Sequence, residues 1–299
     1  MAMGSASSTR FPNIVFNTVT GMPARMDPLI LLGLIAMGLG AGVLGALFGL
    51  GGGIVFVPVL TLVFGLEPAE AVAVSLIGII AGSVGASTVF VDRGLSNIRL
   101  GLLLEITTAA GAIIGAALAT YMEQWILMVL FSAVVYISAW RMIRNPERIV
   151  PPAEGTDGRF AFRYDDDAHD DHFAYEVQNI KGGMALCTAA GMVSSMTGVG
   201  GGMIKVPLMN LYMHVPMKAA SATSSYMIGI TAFSGAVAYF FGGQLLIDYA
   251  AGVAIGAFLG SIAGTALSRR LDTKHLRRYF SVVVIILATL VLLEAAGIL

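Results

Sequence analysis

The sequence predicts an all-α polytopic membrane protein made of two inverted-topology repeats, each with a Gly-rich broken or re-entrant hairpin and three spanning helices. Three observations lead there. Hydrophobic residues make up 57% of the 299 and charged residues only 12%, against about 25% charged in a soluble domain. One motif occurs twice, as Gly49-Leu50-Gly51-Gly52-Gly53 with Pro58 behind it and as Gly198-Val199-Gly200-Gly201-Gly202 with Pro207 behind it. The basic residues crowd into alternate loops.

In chain order, residues 1–27 are polar, contain Pro12 and Pro23, and lack the charged-then-apolar layout of a signal peptide; they are expected to form an extramembrane arm. Apolar segments follow at about 28–48, 53–65, 69–91, 99–119 and 125–143. After an acidic loop over 144–179, a second set runs at about 180–197, 203–213, 216–240, 246–268 and 275–298. Spanning needs about 20 apolar residues, and the segments at 53–65 and 203–213 fall short. Each follows a glycine triplet, which costs a helix roughly 1 kcal/mol per glycine relative to alanine. Each is therefore expected to be one arm of a broken hairpin, tolerated at membrane depth only where protein or a cavity surrounds it.

The membrane repeats are thus 28–143 and 180–299. Gly49 and Gly198 lie 149 positions apart, as do Gly111 and Gly260, and Gly115 and Gly264. Pro68 with Pro216 and Ser75 with Thr223 give 148, which implies a one-residue gap. Internal duplication follows.

Orientation rests on lysine and arginine. The loops at 92–99, 141–181, 214–218 and 268–278 hold 14 of the 17 basic residues. With those loops in the cytoplasm, both termini lie outside, the 144–179 loop is cytoplasmic, and matching loops of the two halves fall on opposite sides. A multi-pass protein of the cell (inner) membrane is the expected setting, with the lipid bilayer as a partner and self-association left open.

Broken segments at matching positions in two halves mark the binding site of a repeat-built transporter. The helix starts near Gly53-Ile54 and Gly202-Met203 expose backbone N–H groups and the positive end of the helix dipole. Glycine lets an anion approach such groups closely. The same glycines also suit close helix crossing. Gly51, Gly52, Gly53, Ile54, Gly200, Gly201, Gly202 and Met203 are the backbone candidates. Lys205 is an intramembrane lysine and so a functional candidate, either holding an anionic substrate or pairing structurally; its counterpart is Phe56. Ser75, Thr223 and Ser224 are candidate hydroxyl donors, although such groups commonly bond to their own helix. Glu105 is the one acid well inside a span. It could take up a coupling proton or neutralise Lys205.

The run Asp165 to Asp171 and His172 could bind a divalent ion, but its spacing matches no defined site and it reads as a solvated loop. The single cysteine, Cys187, excludes an intrachain disulfide and a thiolate metal cage. A formal net charge of -1 gives no nucleic-acid footprint. Lacking a catalytic triad, nucleotide loop or haem motif, the chain is expected to be no enzyme and to use no cofactor.

The duplicated Gly-x-Gly-Gly-Gly pattern with its following proline, spread over 30–298, resembles the sulfite exporter TauE/SafE family. That resemblance implies transport, mostly outward, of sulfur oxyanions such as sulfite, sulfoacetate or other organosulfonates. The expected function is a secondary transporter exporting such an anion by alternating access, with an anion channel, a proton-coupled uptake permease and a membrane scaffold as alternatives. Export of a monoanion is favoured by about 2.3 kcal/mol per 100 mV of inside-negative potential.

Overall fold

The computed structural model describes residues 27–144, 161–166 and 171–267, together with 282, 285–286, 288–293 and 295–296 near the C-terminus. The arm before residue 27 and the centre of the acidic run lie outside the described residues.

The helices are α1 (Pro28–Phe48), α2 (Gly53–Leu62), α3 (Pro68–Asp92), α4 (Ile98–Ala119), α5 (Gln124–Arg144), α6 (Ile180–Thr197), α7 (Gly202–Pro207), α8 (Met217–Phe241) and α9 (Ile247–Leu267). A π-turn, Leu208–Tyr212, extends α7. Among the described residues five helices are long and apolar enough to cross a membrane, so this is an all-α polytopic membrane protein. Large apolar side chains point outward from them, among them Ile106, Phe233 and Leu259.

Local chemistry sets the boundaries. Asp27 caps α1 by accepting from Leu29 N, with Pro28 at the first helical position. Glu67 and Glu70 form a reciprocal capping box at the start of α3. Asn97 accepts from Leu100 N to start α4. Gly49 and Gly198, both at φ 67, end α1 and α6 in the left-handed conformation that glycine adopts without strain.

Boundaries recur at one spacing: Gly53 and Gly202, Asp92 and Phe241, Ile98 and Ile247 are each 149 positions apart. This corrects the expected one-residue gap. Ser75 therefore corresponds to Ser224, not Thr223, and the two prolines that suggested the gap take different places: Pro68 is the first residue of α3, whereas Pro216 is the N-cap of α8.

The halves interlock. α9 packs along α1, and α4 along α6, through glycines that admit no side chain. A Cβ at Gly38 would meet the Val253 carbonyl at 2.6 Å, and one at Gly264 the Val43 carbonyl at 2.6 Å. Gly115 sits against Met192 and Gly191 against Thr108 in the same way. The end of α2 returns to the start of α1, where Phe64 lies beside Gly33 and stacks edge-on against Tyr249. At the other end of the 25-residue α3, a length of about 37 Å, Asn97, Tyr175 and Thr223 meet. There the second hairpin returns to the start of α6, with Tyr212 beside Gly182.

One element was not expected. Within the acidic loop, β1 (Ala161–Asp166) and β2 (Asp171–Glu176) pair antiparallel, with Asp165 opposite His172. Buried Tyr175 and Val177 anchor this ribbon. Asn97 Nδ2 donates to the Tyr175 hydroxyl at 3.2 Å, and Gln178 N donates to the Met213 carbonyl.

Candidate functional site

The two glycine motifs meet at the centre of the molecule. Gly51 and Gly52 (φ 77 and 81) and Gly200 and Gly201 (φ 85 and 67) reverse the chain through the left-handed region. The amides of Val55 and Phe56 then donate to the Gly52 carbonyl, and those of Ile204 and Lys205 to the Gly201 carbonyl.

The motifs pack reciprocally. A Cβ on Gly53 would strike the Gly198 carbonyl, and one on Gly202 would come within 2.5 Å of the Gly49 carbonyl. Ile79 and Ile228, themselves 149 positions apart, close over both Gly51 and Gly200. Close crossing is thus the role these glycines show at Gly53 and Gly202. In this conformation the two helix starts face the opposing loop, not a ligand-sized space. Ile54 and Met203 are buried in the same crossing.

The hydroxyls separate. Ser75 Oγ donates to the Gly198 carbonyl at 2.8 Å, tying α3 to the second motif. Its counterpart Ser224 is fully buried, and its hydroxyl has no partner. Thr223 instead accepts from Asn97 N at 2.9 Å, which commits its oxygen to the start of α4.

Lys205 is completely buried and lies 3.2 Å from Glu105 on α4. Thr231 of α8 bridges them: Lys205 Nζ donates to its hydroxyl, and that hydroxyl lies within hydrogen-bond reach of Glu105 Oε1. Buried Cys187 of α6 and Thr108 of α4 complete the cluster. At the 149-position spacing, Lys205, Thr231 and Glu105 correspond to Phe56, Gly82 and Ala254. The Phe56 ring packs on Gly52 and Gly78, at 3.1 and 2.9 Å from where their Cβ atoms would stand. The first half thus fills with an aromatic ring the place that the second half fills with an ion pair.

A narrow cleft with room for about one water molecule lies beside the first motif and is lined by Gly45, Gly51, Gly82, Ser83, Ala86 and Ser225, among others. The matching positions hold Ser194, Gly200, Thr231, Ala232 and Gly235 in the second half and, opposite Ser225, Leu76 in the first. There Gly235 is closed in by Ser195 and Leu76. The cleft is open in one half and filled by polar and aliphatic side chains in the other.

Sequence reasoning placed Lys205 and Glu105 but missed two neighbours. Thr231 was not singled out among the hydroxyls, and Ser194 carried no signal until the structure set its unpartnered hydroxyl beside Gly201. Among the described residues no group of three His, Cys, Asp or Glu could hold a metal ion.

The family model for the sulfite exporter TauE/SafE matches residues 34–291. A Bacillus subtilis protein, "Probable membrane transporter protein YunE", is 28% identical over 87% of this chain and 97% of its own length. A Methanocaldococcus jannaschii protein, also described as a probable membrane transporter, is 24% identical over 89% and 96%. An Arabidopsis thaliana protein, "Sulfite exporter TauE/SafE family protein 5", is 36% identical over 21% of this chain and 14% of its own. No solved structure matches.

Proposed function

The chain belongs to the sulfite exporter TauE/SafE family, and from that premise we propose that it exports a small sulfur-containing anion, such as sulfite, sulfoacetate or another organosulfonate, by alternating access. The observation that carries this reading is a lysine buried beside a glycine loop in one half of a duplicated membrane core. A desolvated cation is costly to keep in a membrane, and a small oxyanion is its natural guest. The glycine loops hold the anion once the two motifs part, and Lys205 supplies the positive charge.

The duplicated core supports the alternating step. Two halves with reciprocal contacts can exchange roles, and a cleft open in one half with its counterpart filled is what one end state of such an exchange looks like. Basic loops at the Asn97 end favour placing that end, and the ribbon, in the cytoplasm. Ser83 and Ala86 in the later half of α3 and Ser225 near the start of α8 line the cleft on the side toward this end, which suits loading from inside.

The test is flux of radiolabelled sulfite and sulfoacetate from proteoliposomes holding the purified full-length protein. Saturable efflux that unlabelled anion competes away supports a carrier. Non-saturating flux at far higher rates would assign the protein to the channels. Lys205→Arg should retain partial flux, and Lys205→Ala should lower it at least tenfold.

A further inference from the structure

Lys205 is not a free charge. Its ammonium is already neutralised by Glu105 at 3.2 Å, with Thr231 in reach of both. An anion entering this cluster would place a second negative charge beside one cation in a desolvated site, where unpaired charge is strongly disfavoured. A bound anion therefore requires that Glu105 lose its charge.

A place for the anion is marked independently. Ser194 on α6 is buried to 1% exposure, and its hydroxyl has no hydrogen-bond partner. A Cβ on Gly201 would meet Ser194 Oγ at 3.0 Å and Lys205 Cε at 3.4 Å, so the hydroxyl, the glycine loop and the lysine stem share one spot. A donor without an acceptor, next to a cation whose acceptor can be discharged, is half of an anion site. The first half has Gly45 and Phe56 at these positions and offers neither group.

We propose that the anion binds between Ser194 Oγ and Lys205 Nζ by displacing Glu105, and that Glu105 takes up one proton from the loading side as it is displaced, so that each anion crosses with one proton. The inference rests on the transport reading and adds its coupling; with no net charge moved, export runs down the anion's own outward gradient and is not driven by the potential. On the unloading side the anion leaves, Glu105 gives up the proton and the ion pair re-forms; charge and protons balance over the cycle. The empty carrier returns with the pair closed and no net charge in the cluster. Around Glu105 the facing groups are Lys205 from α7 and Thr231 from α8, with Cys187 of α6 close by. Lys205 is the one charged group among them. A membrane potential then acts on the sum of anion and proton, and a monoanion moves without voltage dependence.

The experiment uses the full-length protein in proteoliposomes with labelled sulfoacetate, at zero membrane potential set by potassium and valinomycin. An inward proton gradient should drive uphill accumulation of sulfoacetate by the wild type. Glu105→Gln should accumulate none, and whatever exchange of labelled for unlabelled sulfoacetate it retains should not respond to the proton gradient. Glu105→Asp should retain accumulation. Ser194→Ala should raise the half-saturating sulfoacetate concentration about tenfold while leaving the proton-to-anion ratio unchanged. Exchange by the wild type without proton-driven accumulation would overturn the coupling and leave the transport reading standing, whatever the variants do. Glu105→Gln accumulating like wild type would do the same. Absence of sulfoacetate exchange by the wild type would remove the transport reading for this anion and the coupling with it.

Discussion

Gly53 and Gly202 each sit where a single methyl group would collide with a carbonyl of the opposite motif. Backbone atoms at a crossing cannot move aside as a flexible side chain can, so overpacking here costs about 1–3 kcal/mol. Gly53→Ala is therefore expected to lower the thermal midpoint in detergent by several degrees and to cut flux several-fold. Gly40 is the control: a Cβ there meets nothing within 4 Å, and Gly40→Ala should leave flux intact and stabilise α1 by up to about 1 kcal/mol. Equal loss in both variants would show that helix propensity, not the crossing, governs these glycines. Lys205 and Glu105 were legible in the sequence because charge inside an apolar run is rare. That they pair was one of the readings the sequence left open, since 100 positions separate them and nothing local requires the contact. Thr231 and Ser194 were hidden because hydroxyls are frequent in membrane helices and usually bond to their own backbone, as Thr188 and Ser234 do here.

At the scale of elements, the apolar segments read from the sequence up to residue 268 match the helices to within a few residues, and the two short arms break where the glycine triplets stand; the segment at 275–298 lies largely outside the described residues. Helix starts and stops are local chemistry, and local chemistry is what a sequence displays. The β1–β2 ribbon was missed because the acidic residues dominated the reading of this loop, although Phe162 with Tyr164 and Phe173 with Tyr175 stand two positions apart, as on one face of a strand. What fixes it is tertiary. Tyr175 reaches Asn97, whose Oδ1 caps α4 and whose amide bonds to Thr223 of α8. One asparagine thus joins the ribbon, α4 and α8. Tyr175→Phe removes the hydroxyl from this junction, at a cost of about 1 kcal/mol. Amide exchange in Asp171–Glu176 should then accelerate roughly fivefold while α8 amides are unchanged. Acceleration spread evenly through α8 would mean that the ribbon supports the whole membrane core.

For the whole molecule, the interlock of α1 with α9 and α4 with α6 means that neither half packs as a separate unit. The cleft beside Ser225 gives orientation a direct test, because Cys187 is the sole cysteine. In a Cys187→Ala background, Ser225→Cys should react with a membrane-impermeant maleimide supplied from the cytoplasmic side, and transport should fall as labelling proceeds. Reaction from the outer side alone would reverse the assignment of sides drawn from the basic loops. The sequence by itself determined the membrane class, the duplication, the broken hairpins and the presence of one buried cation and one buried acid, because hydropathy, spacing and rare charges are properties of the linear chain. Only the tertiary structure decided that the repeats align without a gap, that the two motifs pack on each other's carbonyls, and that Lys205 is held by Glu105 and Thr231. Each of these depends on backbones meeting from distant parts of the chain, where a missing Cβ or an unpaired hydroxyl has meaning only through what stands opposite it.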